Sequence, residues 1–107
     1  KKDCTRERRR AAYTCARETD VTNDMLTFVY RITDTQGSRV TLEPYLAADG
    51  HIVFVSPSGE FIHAHATKNA SGDAVFRIPV PQGDYYRAYA QFQIDGAVRT
   101  VWFDWQK

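Results

Sequence analysis

The chain has 107 residues, 43% of them hydrophobic and 25% charged, which is the composition of one ordinary globular domain and not of a two-domain enzyme with a cofactor cleft. A domain of this length buries roughly two-thirds of its unfolded surface, so its core does not depend on a structural metal. Fourteen basic against 13 acidic side chains leave a formal charge of +1, too small a field to gather nucleic acid, and no run approaches the ~18 apolar residues of a membrane helix.

The charge is unevenly placed. Residues 1–20 hold seven basic side chains (Lys1, Lys2, Arg6, Arg8, Arg9, Arg10 and Arg17) against four acids, and the remainder is slightly acidic. We therefore expect a basic, cysteine-containing segment over residues 1–24 and a β domain over residues 25–107. Thr5–Glu18 has few apolar residues and good helix formers, so this segment is irregular or a short helix. Cys4 and Cys15 are eleven residues apart, which suits a disulfide across a turn in an oxidising compartment. A helix would hold the two sulfurs too far apart to bond. A thiol metal site is the rival reading, although the spacing is not that of a zinc knuckle.

From Met25 onward, short alternating runs are separated by turn signals. Leu26–Thr33 puts Leu26, Phe28, Tyr30 and Ile32 on one face and ends at Asp34–Ser38. Val40–Glu43 is a shorter strand stopped by Pro44, whose nitrogen cannot donate to a ladder. His51–Val55 and Glu60–Ala66 flank Ser56–Pro57–Ser58–Gly59, and Ala74–Pro79 follows a polar loop. Tyr85–Ile94 and Ala97–Trp105 flank Asp95–Gly96, a two-residue turn whose register sets Tyr86, Ala88 and Ala90 opposite Trp105, Phe103 and Val101. About seven strands in some 80 residues predict an all-β chain, an immunoglobulin-like antiparallel sandwich. Gly83–Asp84–Tyr85–Tyr86 resembles a tyrosine corner.

All three histidines lie within fifteen residues, at His51, His63 and His65. Ser-Pro-Ser-Gly suits a three-residue hairpin loop, in which Pro57 presets a type I turn and Gly59 takes the left-handed bulge position. Val55 then faces Phe61, Val53 faces His63 and His51 faces His65, so all three imidazoles project from one sheet face. A two- or four-residue loop would shift the register by one and turn His51 away. Three neutral imidazoles suit Cu(II) or Zn(II) and leave a coordination position open. Asp49, Glu60 or Tyr45 could supply a fourth ligand. The plainer alternative is three surface histidines satisfied by water or carboxylates.

The run Leu42–Leu46, then Gly50–Val53, Phe61–His65, and Gly83–Tyr86 through Ala90–Phe92, resembles a family of bacterial extracytoplasmic domains. These carry a PYL…GH segment, an F-x-H-x-H segment and a G-x-Y…QF strand. They occur beside heavy-metal and copper-handling proteins, and are broadly similar to the small periplasmic copper-resistance sandwiches. The resemblance covers residues 26–105. It implies metal binding by His51, His63 and His65. The chain departs from the pattern at Ala66, where proline is common, and in the arginine-rich segment that replaces the first strand.

No nucleophile elbow, phosphate loop or His-Glu-x-x-His helix is present, so no enzyme activity is expected. The reading is a noncatalytic extracytoplasmic module, periplasmic or at the cell surface, that binds, buffers or transfers copper, with zinc as second choice. Its partners would be the metal ion and a cell-envelope protein, with no nucleic acid and no membrane insertion of this chain. The alternative is a metal-free interaction domain of a larger envelope assembly.

Overall fold

The computed structural model describes residues 2–3, 5–6 and 13–107, and every element in them is a β-strand. In chain order these are β1 (Lys2–Asp3), β2 (Thr5–Arg6), β3 (Tyr13–Thr22), β4 (Met25–Asp34), β5 (His51–Val55), β6 (Phe61–His65), β7 (Thr67–Lys68), β8 (Ala74–Pro79), β9 (Tyr85–Ile94) and β10 (Ala97–Gln106). They form two antiparallel sheets, β1-β3-β4-β8-β7 and β2-β10-β9-β5-β6. No helix among the described residues is long and apolar enough to cross a membrane.

The two sheets face each other across one core, because the period-2 pattern of each long strand puts its large apolar residues on the same side. Leu26, Phe28, Tyr30 and Ile32 of β4 are buried, as are Phe76 and Ile78 of β8. From the second sheet come Ile52 and Phe54 of β5, Tyr86 and Phe92 of β9, and Phe103 of β10. Rings interlock between the layers: Phe28 lies 5.6 Å from Phe54 and 5.1 Å from Phe103, and Tyr30 lies 5.3 Å from Phe92. Burying each such side chain stabilises the fold by roughly 1.5–3 kcal/mol.

The Asp95–Gly96 turn has the positive φ values that a type I′ hairpin needs, 53° and 75°. It pairs Tyr86 with Trp105, Ala88 with Phe103 and Ala90 with Val101, the register read from the sequence.

Two elements differ from expectation. The segment before residue 25 is not helical where it is described. Tyr13–Thr22 is a ten-residue strand paired along its whole length with β4, through a second left-handed turn at Asn23 (φ 53°) and Asp24 (φ 63°). The expected boundary after residue 24 therefore falls at the turn of a hairpin. The expected strand Val40–Glu43 is instead a strap from one sheet to the other. The Val40 N–H bonds to the Ile32 carbonyl at 3.0 Å, the Glu43 N–H bonds to the Gln93 carbonyl at 2.9 Å, and Leu42 is buried between them. Bonding to two different sheets within four residues precludes a ladder, and Pro44 removes the next donor. Cys15 is buried in β3; Cys4 and the run Arg8–Arg10 lie outside the described residues.

Candidate metal centre

The β5–β6 hairpin is closed by the loop that the sequence calls for. The Ser56 N–H bonds to the Glu60 carbonyl at 3.0 Å, the Gly59 N–H to the Ser56 carbonyl at 3.0 Å, and the Glu60 N–H to Ser56 Oγ at 2.9 Å. Gly59 sits at φ 94°, in the left-handed region that a side chain would resist. The register is consequently His51 opposite His65, Val53 opposite His63 and Val55 opposite Phe61.

With Ile52 and Phe54 turned into the core, His51 joins His63 and His65 on the outer face of the second sheet. The strap then doubles back over this face. Tyr45 closes a tight turn with Ala48, its N–H bonding to the Ala48 carbonyl at 2.8 Å and its carbonyl accepting from the Ala48 N–H at 3.2 Å. Leu46 (φ 52°) and Ala47 (φ 64°) carry the turn. The Tyr45 ring meets His51 edge-on, with centroids 5.2 Å apart. Although it is an outer-face residue, His51 is thus only 7% exposed, whereas His63 and His65 are exposed. Gly50 makes room for this path, because a Cβ there would stand 2.8 Å from the Phe92 ring.

The three imidazoles offer ring nitrogens that all lie within 4.8 Å of one another. His51 and His63 are stacked with an 8° angle between planes, and His65 meets them edge-on with centroids 4.5 Å and 4.9 Å away. His51 Nδ1 and His63 Nε2 are 3.4 Å apart. Two ligands of a tetrahedral ion at ~2.0–2.1 Å stand about 3.3 Å apart, so this pair is spaced to share one cation. Partial desolvation, and then the neighbouring His65 and His51, push the His63 imidazole below its ordinary pKa. The neutral form, with its lone pair free, is the ligand.

Among the expected fourth ligands, none of the carboxylates joins the group. Glu60 lies at the loop end of the hairpin and accepts from Tyr86 Oη at 2.7 Å. Asp49 pairs with Lys68 at 3.8 Å. Tyr45 is beside His51, but its hydroxyl is directed to Gln91 Oε1 at 3.4 Å, and its backbone carbonyl faces His51 Nε2 at 2.8 Å. The carbonyl is the functional group that the sequence did not disclose, since Leu46–Ala47 carries none of the Gly, Asn or Asp that announce a left-handed turn. The set as it stands is three borderline nitrogen donors on a solvent-facing sheet, which fits a Cu(II) or Zn(II) ion with one position left for another ligand.

The family described as "Domain of unknown function (DUF8832)" matches residues 11–107, which takes in β3 to β10 and all three histidines. No curated protein and no solved structure matches the chain.

Proposed function

The chain belongs to the DUF8832 family, whose description names no activity, and we propose from its site that it is an extracytoplasmic metal-binding module that binds, buffers or transfers copper. The observation that carries the proposal is the convergence of the His51, His63 and His65 ring nitrogens within 4.8 Å on one sheet face. Copper ranks above zinc because a nitrogen-donor site holds Cu(II) more tightly than Zn(II). With three protein ligands and an open position, the ion is accessible to a carrier protein of the envelope, and no catalytic step is assigned. A kinship with the periplasmic copper-resistance sandwiches belongs to the same proposal.

An immunoglobulin-like architecture is also proposed. It is supported by the order β3-β4-β8-β7 in one sheet and β10-β9-β5 in the other, which parallels the ABED and GFC sheets of immunoglobulin domains, with β6 added beside β5. The Gly83 N–H donates to Tyr86 Oη at 2.9 Å, in the manner of a tyrosine corner. A Cys4–Cys15 disulfide, and with it an oxidising compartment, is supported by two facts. Asp3 pairs with Ala16, beside Cys15, and none of the described cysteines is free.

Isothermal titration with Cu(II) and with Zn(II) tests the site. The unchanged chain should bind one ion, and His63→Ala should bind it about 10–100-fold more weakly. Equal affinity in the two proteins would remove the assignment. Failure of the unchanged chain to bind either ion would favour the second reading, a metal-free interaction domain. That reading has its own support in the exposed Phe61 on the edge strand β6.

A further inference from the structure

We infer that His51 holds the ion through Nδ1, and that the Tyr45–Ala48 turn is the outer shell that fixes it in that role. The inference rests on the metal reading above and says which atom of the site is preset and by what. His51 Nε2 lies 2.8 Å from the Tyr45 carbonyl oxygen. A carbonyl oxygen can only accept, so in the neutral ring Nε2 carries the proton and Nδ1 holds the lone pair. Nδ1 is also the atom that faces His63 Nε2, at 3.4 Å. The hydrogen bond and the donor geometry therefore select the same nitrogen.

The turn that presents the carbonyl is strained. Leu46 and Ala47 are both in the left-handed region, at φ 52° and 64°, without the glycine or asparagine that usually occupies it. The conformation is held from both ends, by two backbone bonds between Tyr45 and Ala48 and by the 3.4 Å contact of Tyr45 Oη with Gln91. Gln91 is itself the cross-strand neighbour of His51, and its amide nitrogen donates to Thr100 Oγ1 at 3.2 Å. One side of His51 is thereby anchored to strap and sheet, while His63 and His65 stand exposed on an edge strand. The site is asymmetric: His51 is the fixed donor, and the two histidines of β6 are the ones that an incoming partner ligand can displace.

The test is nitrogen-15 NMR of the imidazole rings, on the metal-free chain and with one equivalent of Zn(II), a diamagnetic probe. The metal-free spectrum should show His51 as the Nε2–H tautomer, and Zn(II) should shift His51 Nδ1 and leave Nε2 protonated. Ala47→Pro, whose ring cannot take positive φ, should lose that tautomer preference and bind Zn(II) about 10–100-fold more weakly. Ala47→Gly, which keeps the turn, should match the unchanged chain. A metal-free His51 protonated on Nδ1, or Zn(II) bound through His51 Nε2, would overturn the inference while leaving the metal reading intact. Absence of any Zn(II)-induced shift in the three rings would overturn both. If Ala47→Pro does not fold, the spectra of the unchanged chain still decide.

Discussion

Two glycines, one before β5 and one in the loop after it, shape the histidine hairpin, and their requirements differ in kind. At Gly59 an added Cβ would meet nothing within 4 Å, so the cost of Gly59→Ala is the left-handed backbone alone, at φ 94°. That cost is about 1 kcal/mol, read as a shift of the denaturation midpoint. Gly50 has an ordinary φ but no space, with the Phe92 ring at 2.8 Å and the Gln91 carbonyl at 3.2 Å from the built Cβ. Gly50→Ala should therefore destabilise by about 1–3 kcal/mol, by forcing β5 away from Phe92, and should weaken metal binding with it. A loss at Gly50 no larger than at Gly59 would show that the packing around His51 is looser than described. Acid acts on the same site. The His63 imidazole is held below its ordinary pKa of ~6.5, chiefly by desolvation. Above that ordinary value both folded and unfolded chains hold it neutral. As pH falls through and below it, the unfolded chain binds the proton first, so stability declines until the folded pKa is passed. A proton on the His63 imidazole competes with the ion, so affinity for Zn(II) should fall as the pH drops through and below about 6.5. A titration series giving a flat profile between about pH 7 and 5 would contradict imidazole ligation.

At the level of the strands, the site is a matter of register. Deleting Ser58 leaves only Pro57 and Gly59 between Ser56 and Glu60, and Pro57 cannot take the positive φ that a two-residue hairpin turn needs at its first position. A three-residue loop re-formed from Ser56, Pro57 and Gly59 puts Val55 opposite Glu60 and His51 opposite Ala64, out of the cluster. The deleted chain should keep its β circular dichroism and bind Cu(II) no better than His63→Ala; retained affinity would mean that the loop does not set the geometry. This register was legible because Pro57 and Gly59 each demand one turn position, and Asp95–Gly96 was legible for the same reason. The strand Tyr13–Thr22 was not. The face that packs on the core carries Tyr13, Cys15 and Arg17, the last buried with its guanidinium 3.5 Å from the Phe103 ring centroid, so a charged residue interrupts the apolar alternation. The Asn23–Asp24 turn did carry a signal, since both residues tolerate positive φ. The strap resembles a strand in sequence because Val40 and Leu42 alternate as a strand does, while the Val40 and Glu43 N–H groups bond to different sheets. Tyr45 was named as a candidate fourth ligand, and its contact with His51 is made through a backbone carbonyl, which no side-chain pattern reports.

Across the whole molecule, a few buried polar contacts tie the strap and loops to the sandwich that carries the site. Asp73, only 4% exposed, precedes β8 and accepts from Arg39 Nε at 3.0 Å, with Arg31 at 3.7 Å. Asp73→Ala should cost about 1–3 kcal/mol, because the strap loses its tether and the arginines lose a buried acceptor. At the opposite end Tyr86, fully buried, joins the Gly83 N–H to the Glu60 carboxylate. Tyr86→Phe should cost about 1–3 kcal/mol as well, by leaving a backbone donor without its partner. Both variants are read by denaturant unfolding, and a change below about 0.5 kcal/mol would exclude these tethers. Neither residue touches the histidines, so metal stoichiometry should stay at one. The most direct measurement is the anomalous scattering of a crystal of the chain grown with one equivalent of Cu(II). The expected result is a single copper peak bonded to His51, His63 and His65 at about 2.0–2.1 Å. A copper peak elsewhere, or three histidine rings with no copper among them, would contradict the assignment.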